Sequence, residues 1–227
     1  DPAGYIAALH NGLYFETLSL TNEDRLRADA YRDNARRSAS LANAGDIEAY
    51  LASLEMQAEL RPFDELDLSR ITQLINKTNQ FNLTTRRVTE AQVREWMSDP
   101  DVYTQTIRLR DKFGDNGLIS VMVGTQSAGQ MHIHLWLMSC RVLGRRVEET
   151  AIAVLQRHAL DRACYVVVGE YLPTAKNGMV ADLYDRMGFT LAETRADGSK
   201  RYTLDTLPMR ELPTGLQILD HTGTGLP

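Results

Sequence analysis

The sequence predicts an α/β (α+β) fold, a mixed central sheet with flanking helices, preceded by a helical N-terminal segment. Three observations predict it. Tyr103–Arg110, Gly117–Gly124 and Gln130–Met138 are consecutive strand-like runs joined by turn-rich Asp111–Gly117 and Gln126–Gly129, the pattern of an antiparallel meander. A helix follows, with Val147, Ala151, Val154, Leu155 and His158 at helical spacing, and then Tyr165–Val168, a short continuous apolar strand. A strand, a helix and a strand in that order need a crossover, so the two strands are expected to be parallel neighbours.

Taken in order, residues 1–53 read as helical. Thr21–Asp24 resembles a capping box, Leu26, Ala30 and Tyr31 follow at helical spacing, and Gly45-Asp46 precedes a short amphipathic helix marked by Ile47, Tyr50, Leu51 and Leu54. The charges between Arg25 and Arg37 form a solvated helix face. Met56–Phe63 makes a strand closed by Arg61-Pro62. Asp67 caps a helix with Ile71, Leu74, Ile75 and Thr78 on its apolar face, and Thr89-Glu90-Ala91 opens another that ends at Pro100. Beyond the crossover strand, Gly178–Met187 reads as a helix stopped by Gly188-Phe189. Thr190–Arg195 and Lys200–Leu204 form a hairpin, and residues 206–227, rich in Pro, Gly and Thr, read as irregular. The expected division is therefore a helical segment over 1–53, a main domain over 54–205 and a tail over 206–227. The opening Asp1-Pro2-Ala3 is read as a cut within a longer chain.

The 227 residues, 43% of them hydrophobic, suffice for one large core. A formal net charge of -5 argues against a general nucleic-acid binder. No apolar run reaches the eighteen or so residues of a membrane span, so no membrane partner is expected. Two cysteines, Cys140 and Cys164, give neither a disulfide framework nor a zinc motif, which fits a reducing cytoplasm. No metal site is expected: His132 and His134 form an i, i+2 pair without a third ligand.

Cys140 draws attention because it ends an apolar strand just before a basic turn and a helix start, where a thiolate or an anion is stabilised. The plain alternative is a packing cysteine. Glu170 ends the neighbouring parallel strand, so the thiol and this carboxylate are expected to share the crevice that opens at strand ends, with Glu170 either a general base or a polar strand-end residue. Lys176 and Asn177 open the next helix and either meet an anion or lie in solvent. Amides and hydroxyls crowd Asn76, Lys77, Asn79, Gln80, Asn82, Thr84 and Thr85, as a substrate-binding surface or as a loop held by local side-chain bonds. Tyr184 lies on an apolar helix face, and a core tyrosine is the default.

The order of elements from residue 54 onward resembles the GNAT acyltransferase fold. Arg141-x-x-Gly144-x-Arg146 resembles the pyrophosphate loop of that superfamily, with an arginine where a small residue is usual, and Asn177 with Leu183–Phe189 resembles its next motif. Longer strings, Leu74–Arg86, Leu137–Arg145 and Gly169–Asn177, together with Phe15–Leu20, resemble the C-terminal half of FkbH-like proteins, which pair a HAD-type phosphatase-like domain with a GNAT-like one. The resemblance implies that Cys140 carries a glyceryl group from 1,3-bisphosphoglycerate as a thioester and passes it to the phosphopantetheine arm of an acyl carrier protein in polyketide biosynthesis. It implies no tightly bound cofactor. In that reading Glu170 is the base candidate, Arg141, Leu143, Gly144, Arg145, Lys176, Asn177 and Tyr184 surround the phosphopantetheine or phosphate, and Asn76, Asn79 and Asn82 meet the glyceryl hydroxyls. The HAD nucleophile motif is absent from the sequence, so this chain alone is not expected to perform the phosphate chemistry that a HAD-like phosphatase domain, missing from this chain, would supply as a partner. Two other readings stand beside it, an acetyl-CoA-dependent N-acetyltransferase and a non-catalytic carrier-docking module.

Overall fold

A computed structural model describes residues 32–41 and 45–223. The chain divides into two compact units, Asp1–Asn43 and Ala44–Pro227. In the first, residues 32–41 are helical. The expected helix start at Thr21–Asp24 and the pattern through Leu26, Ala30 and Tyr31 lie outside the described residues.

The second unit begins with α1 (Ile47–Ser53), where Asp46 accepts the Ala49 N–H at 2.7 Å, an N-cap. Tyr50 and Leu51 of this helix join the main core, so it is part of the sheet domain rather than of the segment before it. Then come β1 (Met56–Arg61), α2 (Leu68–Lys77), α3 (Glu90–Ser98), β2 (Val102–Asp111), β3 (Gly114–Ser127), β4 (Gln130–Met138), α4 (Val147–Asp161), β5 (Val166–Tyr171), α5 (Leu183–Arg186), β6 (Thr190–Thr194), β7 (Lys200–Asp205) and β8 (Leu216–Asp220). One sheet holds all eight strands in the order β6-β7-β5-β4-β3-β2-β1-β8. β2, β3 and β4 form the antiparallel meander, and β4 and β5 are parallel across the α4 crossover, as the sequence predicts.

Helices cover both faces. Leu68, Ile71 and Ile75 of α2 and Val93 of α3 meet Leu118, Val121, Val123, Leu135 and Leu137 on one side. Burying each such aliphatic side chain contributes about 1.5–3 kcal/mol. α4 packs on the other side against Trp136, Met138, Val167 and Tyr184. A register shift at Val123/Gly124 places an extra residue, His134, in β4. This bulge moves the alternation by one, so Met131 and Ile133 before it and Trp136 and Met138 after it all enter the α4-side core.

Three local expectations differ from the structure. Asp67 stands at the N-cap of α2, its carbonyl accepting from Ile71 N–H at 2.8 Å, but its carboxylate makes no capping bond and pairs with Arg108 at 2.5 Å instead. The helix expected over 178–187 is two short pieces, a 3₁₀ turn at Gly178–Val180 and α5. The tail contains β8, parallel to β1, because Leu216 and Ile218 alternate with Gln217 and supply one more apolar edge.

Candidate active site

The site is built on the divergence of β4 and β5. They pair only from Gln130/Val166 to Ile133/Gly169, after which β4 runs on to Met138 and β5 to Tyr171. The gap between them is filled by the chain itself. Phe81–Thr84 enters it as a short extended piece, paired with β4 through an antiparallel bridge between Asn82 and Leu137. Met138 N–H donates to the Phe81 carbonyl (3.1 Å) and Leu83 N–H to the Trp136 carbonyl (3.2 Å). On the other side Leu172 N–H donates to the Leu83 carbonyl (2.9 Å). Phe81, Asn82, Leu83 and Thr84 are all buried.

Local chemistry explains why an amide-rich stretch ends in this insert. Asn82 Oδ1 accepts from the Thr84 and Thr85 N–H groups (3.3 and 2.8 Å) and its Nδ2 donates to the Thr78 carbonyl (3.1 Å), an Asx turn that holds Thr85 at φ +49°. Asn177 clamps the insert from below. Its Nδ2 donates to the Asn82 and Leu172 carbonyls (3.0 and 2.9 Å), and its Oδ1 accepts from Thr174 N–H (2.7 Å).

Cys140 lies just past the end of β4. The strand stops at Met138, Ser139 N–H makes a last bond to the Ile119 carbonyl (2.7 Å), and Cys140–Val142 forms a 3₁₀ turn. The thiol is exposed. It borders a cavity of about 660 Å³ lined by Leu74 and Lys77 of α2, by Asn79, Gln80 and Phe81 of the segment that follows, and by Ala175 and Lys176. Two lysines and, among the described lining residues, no carboxylate give this cavity positive charge in a chain whose net charge is negative.

The structure gathers Cys140, Asn79 and Lys176 at this cavity. It places the other sequence-predicted residues elsewhere. Glu170 does not line the cavity; it pairs with Arg195 at 3.1 Å on the β6–β7 side, because the insert separates the two strand ends. Asn76 ties α2 to Val88 through its Nδ2 and Oδ1 (2.8 and 3.0 Å), and Asn82 and Asn177 are the buried clamps just described. Arg145 is buried, paired with Asp111 at 3.1 Å, and donates to the Arg141 carbonyl at 3.1 Å, so it braces the Cys140 turn from behind. Arg141 is exposed, with its Nε donating to Ser139 Oγ at 3.3 Å. Tyr184 is 1% exposed among Trp136, Phe189 and Tyr202, and burial pushes its hydroxyl well above the usual tyrosine range.

Leu143 and Gly144 border a different, smaller cavity of about 130 Å³ with Glu148, Glu149, Met179 and Arg186. There Glu148, 5% exposed, turns its Oε1 to the Gly144 N–H at 3.4 Å, and desolvation raises its carboxyl above the ordinary value. Arg146, in the left-handed region at φ +62°, sends its guanidinium to Glu48 and Thr214. Sequence reasoning noted Lys77 only as one of a polar series; its place in the lining of the cavity that Lys176 also borders has no local signal. Among the described residues no group of three His, Cys, Asp or Glu could hold a metal ion, and no helix is long and apolar enough to cross a membrane.

This architecture has counterparts among solved structures. A domain from Methanocaldococcus jannaschii DSM 2661 superposes over 66% of this chain and 99% of its own, with a TM-score of 0.51 and 12% identity. The GNAT domain of S. lividans PAT does so over 64% and 89%, with a TM-score of 0.51 and 16% identity, and Ard1 from Thermoplasma volcanium over 66% and 98%, with 0.50 and 12%. No family model and no curated protein matches the sequence. The chain has a GNAT-like acyltransferase fold.

Proposed function

We propose that this domain is an acyltransferase in which Cys140 accepts an acyl group and hands it to the thiol of a phosphopantetheine arm on an acyl carrier protein. The observation that carries the reading is an exposed thiol beside a 660 Å³ cavity flanked by Lys77 and Lys176. A cysteine suits the task, because thioester exchange with another thiol is close to isoenergetic and the thiolate is a strong nucleophile. The donor that the sequence resemblance suggests is 1,3-bisphosphoglycerate. Cys140 Sγ forms a bond to its acyl carbon, the acyl–phosphate C–O bond breaks, phosphate leaves with the electron pair and the thiol proton passes to solvent. The carrier thiolate then attacks the thioester carbonyl and Cys140 leaves as thiolate. Lys77 and Lys176 complement the phosphates of donor and carrier arm, and Gln80 offers its amide to the glyceryl hydroxyls beside Asn79, whose Oδ1 accepts from Arg87. The thioester first formed still carries the C3 phosphate ester; a HAD-like partner domain would hydrolyse that ester with water and release inorganic phosphate to leave the glyceryl group, chemistry for which this sequence has no motif.

Incubation with bisphosphoglycerate, with the HAD-like part added, should increase the intact mass by one glyceryl unit, and Cys140→Ser should abolish the gain. Glyceryl loading of the carrier by the Ser variant would refute the assignment of the cysteine. A second reading is acetyl transfer from acetyl-CoA to an amine, which the sequence resemblance to GNAT acyltransferases suggests and with which the likeness in fold to the S. lividans GNAT domain is consistent. Coenzyme-dependent acetylation of amines with Cys140→Ser fully active would select it.

A further inference from the structure

We infer that this chain does not seat coenzyme A along β4 and the Gly144 loop, the position its fold implies, because its own residues fill both halves of that position. The first half is the opening between β4 and β5, where ligands of such sheets bind. Here the backbone groups that an extended ligand arm would meet are already paired. Trp136 carbonyl and Met138 N–H on β4, and Leu172 N–H beyond β5, are bonded to Leu83 and Phe81. The insert is not a loose loop: it is buried, bridged to Leu137 and clamped by Asn177.

The second half is the turn before α4, where free amides at a helix start would hold a pyrophosphate. The Gly144 N–H faces the Glu148 carboxylate instead. Glu148 Oε2 and Glu149 Oε2 are buried without hydrogen-bond partners, so the turn presents negative charge to any phosphate that approaches. Of the cations near this turn, Arg146 is turned toward Glu48 and Arg141 alone is exposed, its Nε on Ser139 Oγ before the Gly144 amide. Arg145 is held by Asp111. Burial keeps the Glu148 carboxyl raised, but even a protonated acid leaves the amide covered.

This inference stands apart from the role of Cys140, whose cavity meets the insert at Phe81 and is not lined by Asn82, Leu83 or Thr84. It implies that any thiol acceptor reaches Cys140 through that cavity and not through the sheet opening. Hydrogen exchange of the intact chain, with and without millimolar coenzyme A and acetyl-CoA, tests it at the Leu83, Met138, Gly144 and Leu172 amides, with calorimetry run in parallel. Unchanged exchange at all four supports the inference, whether calorimetry finds no binding or finds binding at another place. Saturable binding accompanied by altered exchange at any of the four amides overturns it. Loss of Cys140 acylation would leave this result untouched, so the two readings fail separately.

Discussion

Replacing Asn177 with alanine separates a structural clamp from a ligand contact. In the structure the side chain is fully buried and makes three good hydrogen bonds, to the Asn82 and Leu172 carbonyls and from Thr174 N–H. Alanine removes all three and leaves the Asn82 and Leu172 carbonyls and the Thr174 amide to find other partners in a dry setting. At about 1–1.5 kcal/mol for each lost bond, the cost is about 3–4 kcal/mol. In a domain of this size each kcal/mol lowers the melting temperature by roughly 2–4 °C, so Asn177→Ala should melt on the order of 10 °C lower. Because Asn177 holds the insert, the Leu83 and Leu172 amides should also lose exchange protection before the rest of the sheet. Thermal melts and urea unfolding, followed by residue-resolved exchange, measure both. An Asn177→Ala protein with unchanged melting and unchanged Leu83 protection, but with failed acyl transfer, would refute this account and restore the side chain as a ligand contact.

Arg145→Ala breaks a buried ion pair with Asp111 and should cost about 3–5 kcal/mol, seen by denaturant unfolding; it should also loosen the turn carrying Cys140, since Arg145 holds the Arg141 carbonyl. At Gly169 an added Cβ would lie 2.3 Å from the Tyr184 ring, whose neighbours leave it no room, so Gly169→Ala should destabilise by about 1–3 kcal/mol or more. Glu148 supplies a pH test. Burial raises its carboxyl above the ordinary 4.5, so the folded protein keeps a proton that the unfolded chain releases. That contribution to stability is complete below the unfolded value and is lost as pH rises through the raised folded value. Glu148→Gln does not titrate, so its stability relative to the native protein should increase as pH rises across that window; a difference in melting temperature that is flat with pH would contradict this.

The meander, the α4 crossover and the helix start at Thr89 were legible because each depends on residues within a few positions of one another. Alternation marks strands, and spacing of three and four marks helices. Cys140 at a strand end was legible for the same reason. The β8 pairing could have been read from Leu216-Gln217-Ile218, but glycines and prolines around it concealed the pattern.

What the sequence alone determined, then, is most of the elements up to β7, the parallel pairing of β4 and β5, and a cysteine close to their diverging ends. Only the tertiary structure decided what lies in that divergence. Phe81-Asn82-Leu83 has no periodicity of its own; it becomes strand-like because Trp136, Met138 and Leu172, distant in sequence, offer it unpaired backbone groups. The same non-local bonding took Glu170 to Arg195, Arg145 to Asp111 and Asn177 into the core. The physical reason is that a buried polar group must find a partner, and the chain's own folding, not the identity of the residue, determines which partner is within reach.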